Sequence, residues 1–127
     1  MFALDHVVLT VRDIETTCAW YQRVLGMRRV VSENGRVALH FGSQKVNLHP
    51  AAAPYSPHAA VAEPGTADLC FLSSRLIEEV VEDLQGEAVA IELGPVRQVG
   101  AQGPMDSVYF RDPDGNLIEV ASYARRV

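Results

Sequence analysis

The sequence is poor in cysteine, in basic residues and in long apolar runs, and each shortage excludes a class of protein. Two cysteines, Cys18 and Cys70, are too few for a disulfide scaffold. Both lie in apolar runs, so we expect reduced, buried thiols in a cytoplasmic protein. Eleven Lys and Arg residues against 16 Asp and Glu residues leave a formal net charge of −5, which argues against a nucleic-acid partner. No apolar run approaches the roughly 20 residues of a membrane span.

What remains is a chain of ordinary globular composition in which one succession of elements occurs twice. With 127 residues, 48% hydrophobic and 21% charged, it has the size of a single domain with its own core. The first module, residues 1–50, is predicted as a strand, a helix and three short strands. The second module, residues 66–127, repeats that order. Between them, residues 51–65 are rich in proline and alanine and are predicted to form an irregular connector.

Local signals set the expected boundaries. Asp13 is a good N-cap for a helix that ends at Leu25 before Gly26, and Asn34-Gly35 is typical of a hairpin. In the second module, Ser73 or Ser74 is predicted to cap the helix. The first strand of each module is expected at residues 2–11 and 67–72. The last three strands of the second module are expected at about 88–93, 107–110 and 116–123, with a loop at Val99–Met105.

The predicted fold class is therefore α+β, with two βαβββ modules that form a curved mixed sheet, a half-barrel, around a central site. Each module would contribute its first and last strands to the concave face. This arrangement gives a physical reason to compare the polar residues of those strands.

Two ionisable residues interrupt otherwise apolar strands at opposite ends of the chain. His6 lies within Leu4–Val11, and Glu119 lies within Leu117–Ala121. An imidazole and a carboxylate are a common pair of ligands for a divalent metal, and burying a carboxylate is costly unless it is paired or holds a metal. We therefore predict that His6 and Glu119 are metal ligands.

The internal repeat extends this set. His6 in the first module corresponds to Asp68 in the second, and either Asn47 or His49 corresponds to Glu119. A concave face lined by His6, His49, Asp68 and Glu119 would hold a divalent cation.

Three segments of this sequence resemble the vicinal oxygen chelate superfamily, which includes glyoxalase I, bleomycin-resistance proteins and extradiol dioxygenases. They are residues 4–13 (LDHVVLTVRD), 20–27 (WYQRVLGM) and 110–119 (FRDPDGNLIE). The segments at 45–49 (KVNLH) and 65–70 (GTADLC) are similar to those of small single-domain glyoxalase-like proteins. The resemblance covers essentially the whole chain.

The resemblance implies a ligand set and a cofactor. His6 matches the metal histidine of the first strand, and Glu119 matches the metal glutamate of the last strand. Asp68 stands where these families usually carry a second histidine, and His49 could supply an imidazole where glyoxalase I has a glutamate. The implied cofactor is a divalent ion, one of nickel, zinc, cobalt, manganese or iron.

Several functions are consistent with this resemblance. The first is a glyoxalase-like isomerase or lyase, of the lactoylglutathione lyase type, with Glu119 as the base (Asp68 is the alternative). The second is an extradiol dioxygenase, with iron held by His6, His49 and Glu119, and with Tyr109 as a nearby acid. A thiol-adding enzyme and a metal-free drug-binding protein are further alternatives. A small-molecule substrate and a homodimer are expected in each enzyme case.

Overall fold

The computed structural model describes residues 1–125, which form two compact units. The first unit comprises residues 1–67 together with 113–115, and the second comprises the remaining described residues. Each unit contains one helix and one four-stranded mixed sheet. The predicted α+β fold of two βαβββ modules is confirmed. Residues 126 and 127, the end of the predicted second module, lie outside the described residues.

In the first unit, strand β1 lies at one edge of the sheet and pairs in parallel with the last strand. The strand order is β1-β4-β3-β2, and the other neighbours are antiparallel. The elements are β1 (His6–Val11), α1 (Ile14–Leu25), β2 (Arg28–Val31), β3 (Val37–Phe41) and β4 (Gln44–Pro50).

The second unit repeats this topology, with the order β5-β8-β7-β6 and a parallel pair β5–β8. Its elements are β5 (Asp68–Leu72), α2 (Ile77–Gly86), β6 (Leu93–Gly100), β7 (Gly103–Arg111) and β8 (Leu117–Ser122).

Helix α1 begins and ends where the local signals predict. The Asp13 carboxylate accepts a hydrogen bond from the backbone N–H of Thr16 at 3.1 Å. Gly26 ends the helix in the left-handed region, at a φ of 66°. Cys18 and Tyr21 are almost completely buried, and α1 contacts β2, β3 and β4.

The start of the second helix differs from the prediction. Neither Ser73 nor Ser74 caps α2, which begins after Leu76. The Glu79 carboxylate accepts the backbone N–H of Leu76 at 3.1 Å, while the Ser73 hydroxyl accepts the N–H of Arg75. The glutamate therefore satisfies the N–H group of the residue before the helix, whereas a capping serine would have accepted an N–H group from inside the first turn.

Two strand predictions in the second module were wrong. The strand expected at 88–93 lies instead at Leu93–Gly100, and most of the predicted loop Val99–Met105 belongs to β6 and β7. Glycines and prolines in this stretch are typical of loops, but antiparallel pairing with β7 overrides that local preference. The first strand also begins later than expected, at His6, where its pairing with β4 starts opposite Lys45.

The connector has no helix or strand between residues 51 and 67, as predicted. Within residues 1–125, no helix is long and apolar enough to cross a membrane.

The two faces of each sheet differ in character. Alternating side chains such as Leu39, Val46 and Leu48 in the first unit, and Phe110 and Ile118 in the second, are almost fully buried. They lie on strands that contact the helix of the same unit: β3 and β4 contact α1, and β7 and β8 contact α2. The opposite face of each sheet, called here the site face, carries the predicted site residues.

Candidate functional site

His6 lies at the start of β1, on the site face of the first unit. Its Nδ1 is 2.8 Å from the Asp5 carboxylate, and its side chain is 44% exposed. A carboxylate on one ring nitrogen fixes the imidazole and leaves Nε2 available, which is the usual arrangement of a metal-ligating histidine.

His49 shares this face with His6 but does not lie beside it. His6 pairs with Lys45, whereas His49 pairs with Thr10, four residues further along the strands. That offset corresponds to roughly 13 Å at about 3.3 Å per residue. The sheet of the first unit therefore does not bring the two imidazoles to one point.

The surroundings of His49 are aromatic and positively charged. Its side chain is buried, and its Nδ1 has no hydrogen-bond partner among residues 1–125. Its ring meets the edge of Tyr55 at a centroid distance of 5.0 Å, and the guanidinium of Arg36 lies 4.2 Å from the centre of the Tyr55 ring. Burial, and then the charges of Arg36 and His58, lower the pKa of His49, which favours the neutral imidazole.

A cavity of about 300 Å³ opens on this face of the first unit. His49, Asn47 and Lys45 from β4 line it, together with Arg36 and Tyr55 from the hairpin and the connector. Sequence reasoning singled out His49 and Asn47 but missed Arg36 and Tyr55. The latter two lie in irregular segments, where no periodic pattern indicates the direction of a side chain.

Glu119 occupies the centre of the corresponding face in the second unit. It pairs with Cys70 on β5 and with Tyr109 on β7. Its Oε2 is buried and has no hydrogen-bond partner within the described part of the chain. A buried carboxylate oxygen without a partner is costly, and a bound cation is one way to satisfy it.

The two neighbours of Glu119 are held in their protonated forms. Cys70 was expected to be buried like Cys18 but is exposed. Partial desolvation of its thiol nevertheless raises its pKa to about 11, and the charge of Glu119 adds to this effect. Burial and Glu119 likewise raise the pKa of Tyr109 above its ordinary value. Glu119 therefore lies between a neutral thiol and a neutral phenol.

Asp68 begins β5 and is exposed. It pairs with Leu117, two residues along the strands from the pair of Cys70 and Glu119. By strand alternation it shares a face with Cys70 and Glu119. Within neither unit do three His, Cys, Asp or Glu side chains of residues 1–125 come close enough to hold a metal ion. The four predicted ligands fall two in each unit, and their union in one site stays a prediction.

The strand registers identify the counterpart of Glu119. His6 and Asp68 are the first residues of β1 and β5, and Glu119 pairs with the third residue of β5, Cys70. The third residue of β1, Val8, pairs with Asn47. Asn47 is therefore the structural counterpart of Glu119. His49 corresponds by the same register to Ala121.

The residues present fit a divalent cation in their chemistry. His6 offers a free Nε2 on an oriented ring, and Glu119 offers an unsatisfied carboxylate oxygen. Nitrogen and oxygen donors of this kind suit zinc, nickel, cobalt, manganese and iron.

The sequence matches the Glyoxalase/Bleomycin resistance protein/Dioxygenase superfamily over residues 3–120. The chain belongs to this superfamily. Its predicted resemblance is thereby confirmed, and the alternatives within the superfamily differ in reaction rather than in fold.

Relatives within the superfamily cover nearly the whole chain. A virulence protein of Salmonella typhimurium is 48% identical over 120 residues, which are 94% of this chain and 83% of that protein. Its crystal structure has a TM-score of 0.95 and covers 98% of both chains at 46% identity. A glyoxalase domain-containing protein of Mycosarcoma maydis is 46% identical over 95% of this chain and 68% of its own length.

A more distant structure shares the fold alone. The fosfomycin resistance protein of Listeria monocytogenes, crystallised with Mn(II) and sulfate, is 19% identical. Its TM-score is 0.67, and the match covers 98% of this chain and 92% of that chain.

Proposed function

We propose that this chain is a divalent-metal-dependent glyoxalase-like enzyme, an isomerase or lyase whose small substrate presents two adjacent oxygen atoms. The observation that carries the proposal is the buried, unpartnered Oε2 of Glu119, between Cys70 and Tyr109. Membership of the superfamily supports an enzyme of this kind.

His6, through Nε2, and Glu119 are the residues proposed to hold the cation. Asp68 and His49 are proposed as further ligands. When bound, a divalent cation stabilises negative charge that develops on the substrate oxygens. The residues of the chain then have separate tasks: Asp5 fixes the orientation of the His6 ring, and Glu119 takes a proton from the substrate carbon.

Tyr109 is proposed to donate a proton rather than to accept one. Its raised pKa keeps the phenol protonated at neutral pH, opposite the carboxylate of Glu119. A base and an acid on adjacent strands would together move a proton between neighbouring atoms of the substrate.

The test is the metal content of four proteins purified without chelators: wild type, His6→Ala, Glu119→Gln and Glu82→Gln. Glu82 lies exposed on α2 and gives a control with the same change of charge as Glu119→Gln. We expect close to one divalent ion per wild-type and Glu82→Gln chain, and loss of the ion in the other two. Unchanged metal content in both His6→Ala and Glu119→Gln would refute the proposal.

The reaction class is tested next, on protein loaded with its native metal. Hemithioacetal isomerisation and aerobic catechol cleavage are assayed side by side. Isomerisation with nickel, zinc or cobalt supports the proposal, whereas oxygen consumption with iron would replace it by the dioxygenase alternative.

We also propose a homodimer, because strand edges in this superfamily are usually paired between chains. Light scattering at micromolar concentration gives the mass, and a monomeric mass would contradict this proposal.

A further inference from the structure

We propose that the cavity on the site face of the first unit binds the acid group, a carboxylate or a phosphate, of a small organic anion, with Arg36 and Lys45 as counter-charges. This inference rests on the proposed function in one respect: the bound anion would be the substrate of the proposed enzyme. The cavity belongs to the first unit alone, so the binding can be measured without any metal.

The charge of the cavity lining is of one sign. Arg36 and Lys45 are the charged residues among those that line it, and the lining contains no aspartate or glutamate. The whole chain, by contrast, has a formal net charge of −5. A positive cavity in an acidic protein favours an anion at that place.

Neither Arg36 nor Lys45 is held in an ion pair among residues 1–125, although the pKa of Asp5 is lowered by its hydrogen bond with His6 and also by the charge of Lys45. Six other arginines do have carboxylate partners: Arg12, Arg29, Arg75, Arg97, Arg111 and Arg125. The guanidinium of Arg36 at the cavity thus differs from those of these six arginines.

Arg36 is held in place while its hydrogen-bond donors stay available. Its guanidinium stacks over the Tyr55 ring, with 4.2 Å between the guanidinium carbon and the ring centre. Stacking uses the flat face of the group, and the N–H donors lie in its plane, so they can bind a planar carboxylate or a phosphate. Tyr55 in turn contacts the ring of the buried His49.

The remaining walls fit the organic part of such a ligand. Val30, Val37, Ala38 and Leu48 supply apolar surface, and Asn47 and His40 supply polar groups. A volume of about 300 Å³ is at the lower end of the range for small-molecule sites. This size suits a ligand such as a single ring that carries one acid group.

The experiment titrates metal-free protein with phenyl phosphate, benzoate and the neutral analogue benzamide, and follows backbone amide signals by NMR. Four chains are compared: wild type, Arg36→Gln, Lys45→Gln and Arg23→Gln. Arg23 lies on α1, outside the cavity lining, and its substitution removes the same charge. A fifth chain, Arg36→Lys, retains the charge but loses the planar group.

We expect at least one of the two anions to bind wild type with a Kd on the order of 1 mM, as a ligand of this size allows, and to shift the signals of residues 36–49. Benzamide should bind at least tenfold more weakly. Arg36→Gln should raise Kd at least tenfold, Lys45→Gln at least threefold, and Arg23→Gln less than twofold. The preferred anion identifies the acid group.

Three results would overturn the inference. They are an absence of shifts at residues 36–49 with either anion, equal binding of benzamide, and an equal effect of Arg36→Gln and Arg23→Gln. If the NMR spectrum of Arg36→Gln lacks the signal dispersion of a folded protein, Arg36→Lys is used in its place. Arg36→Lys should fold and should bind the preferred anion at least threefold more weakly than wild type, and equal binding would overturn the inference. Because no metal is present, these outcomes are independent of the metal content of His6→Ala and Glu119→Gln.

Discussion

In the first unit the site face carries three histidines and a lysine beside a cavity, whereas the same face of the second unit carries an aspartate, a cysteine, a glutamate and a tyrosine. The two sheets have the same strand order, with the first strand parallel to the last. The difference in chemistry therefore arises from side chains on equivalent backbones.

The opposite faces of the two sheets agree where the site faces differ. By register, Leu39 and Val46 of the first unit correspond to Phe110 and Ile118 of the second. All four are 0% exposed. Burial requires an apolar side chain at these positions, whereas the site face is free to change because it is not needed for the core.

One pair of counterparts explains why the cavity opens in the first unit. Ala38 pairs with Asn47, and Tyr109 pairs with Glu119, so Ala38 corresponds to Tyr109. Ala38 lines the cavity. A methyl group in place of a phenol ring leaves room for a ligand, while the phenol of the second unit borders the carboxylate.

The largest effect is expected from the face on which the units agree. Leu39→Ala should lower the free energy of unfolding by about 2–5 kcal/mol, because it removes a fully buried side chain. The neighbouring His40→Ala, on the site face, should cost less than about 1 kcal/mol. Urea denaturation measures both, and equal costs would contradict the division between the two faces.

The second prediction concerns the thiol of the second unit, for which the first unit has Val8. A pKa of about 11 leaves Cys70 about a hundredfold less thiolate at pH 8 than the ordinary value of 9.0 would. Alkylation by iodoacetamide in metal-free protein should be slower by that factor and should rise with pH up to about 11. Glu119→Gln should accelerate it, since it removes a negative charge that raises the pKa of Cys70.

Cys70→Ser is the control, because the other cysteine, Cys18, is buried and should not react in the native state. An alkylation rate typical of a free thiol at pH 8 would show that the surroundings of Cys70 do not stabilise the protonated form.

A third variant makes the first unit resemble the second at one position. Ala38→Tyr should fill the cavity and weaken the binding of phenyl phosphate or benzoate at least tenfold, a loss of about 1.4 kcal/mol. A large side chain at a nearly buried position should also destabilise the chain by about 1–3 kcal/mol. NMR titration and urea denaturation separate the two effects. Ala38→Ser is the small control, and unaltered binding by Ala38→Tyr would show that the anion lies elsewhere.

The smallest effect is expected at the first strands, where His6 and Asp68 are counterparts. Asp68→Asn keeps the shape and removes the charge, so metal affinity or turnover should fall at least about tenfold if Asp68 acts at the metal. Asp68→His should restore or tighten metal binding. Competition with a chromogenic chelator measures the affinity, and wild-type values for both variants would make Asp68 a structural residue.

Much of the fold was predictable from short-range patterns. The helix from Asp13 to Gly26, the turn at Asn34-Gly35 and the irregular connector each depend on a few neighbouring residues. The strand β6 was not predictable in this way. Its glycines and prolines indicate a loop, and hydrogen bonds from β7 decide otherwise.

The residues of the candidate site likewise include some that the sequence predicts and some that it does not. His6 and Glu119 could be singled out because each is an ionisable residue in an apolar strand, and Tyr109 because it lies on the strand before Glu119. Arg36 and Tyr55 could not, because their neighbours in the sequence give no sign that they reach the same cavity.

The sequence by itself determined two modules of one topology and the apolar layer that each packs against its helix, since periodicity and capping act over a few residues. Only the tertiary structure decided that Asn47, rather than His49, is the counterpart of Glu119, and that Arg36, Tyr55 and His49 are neighbours. The physical reason is that register depends on hydrogen bonds between strands distant in the chain, and a shift by two residues leaves the local pattern of apolar and polar positions unchanged.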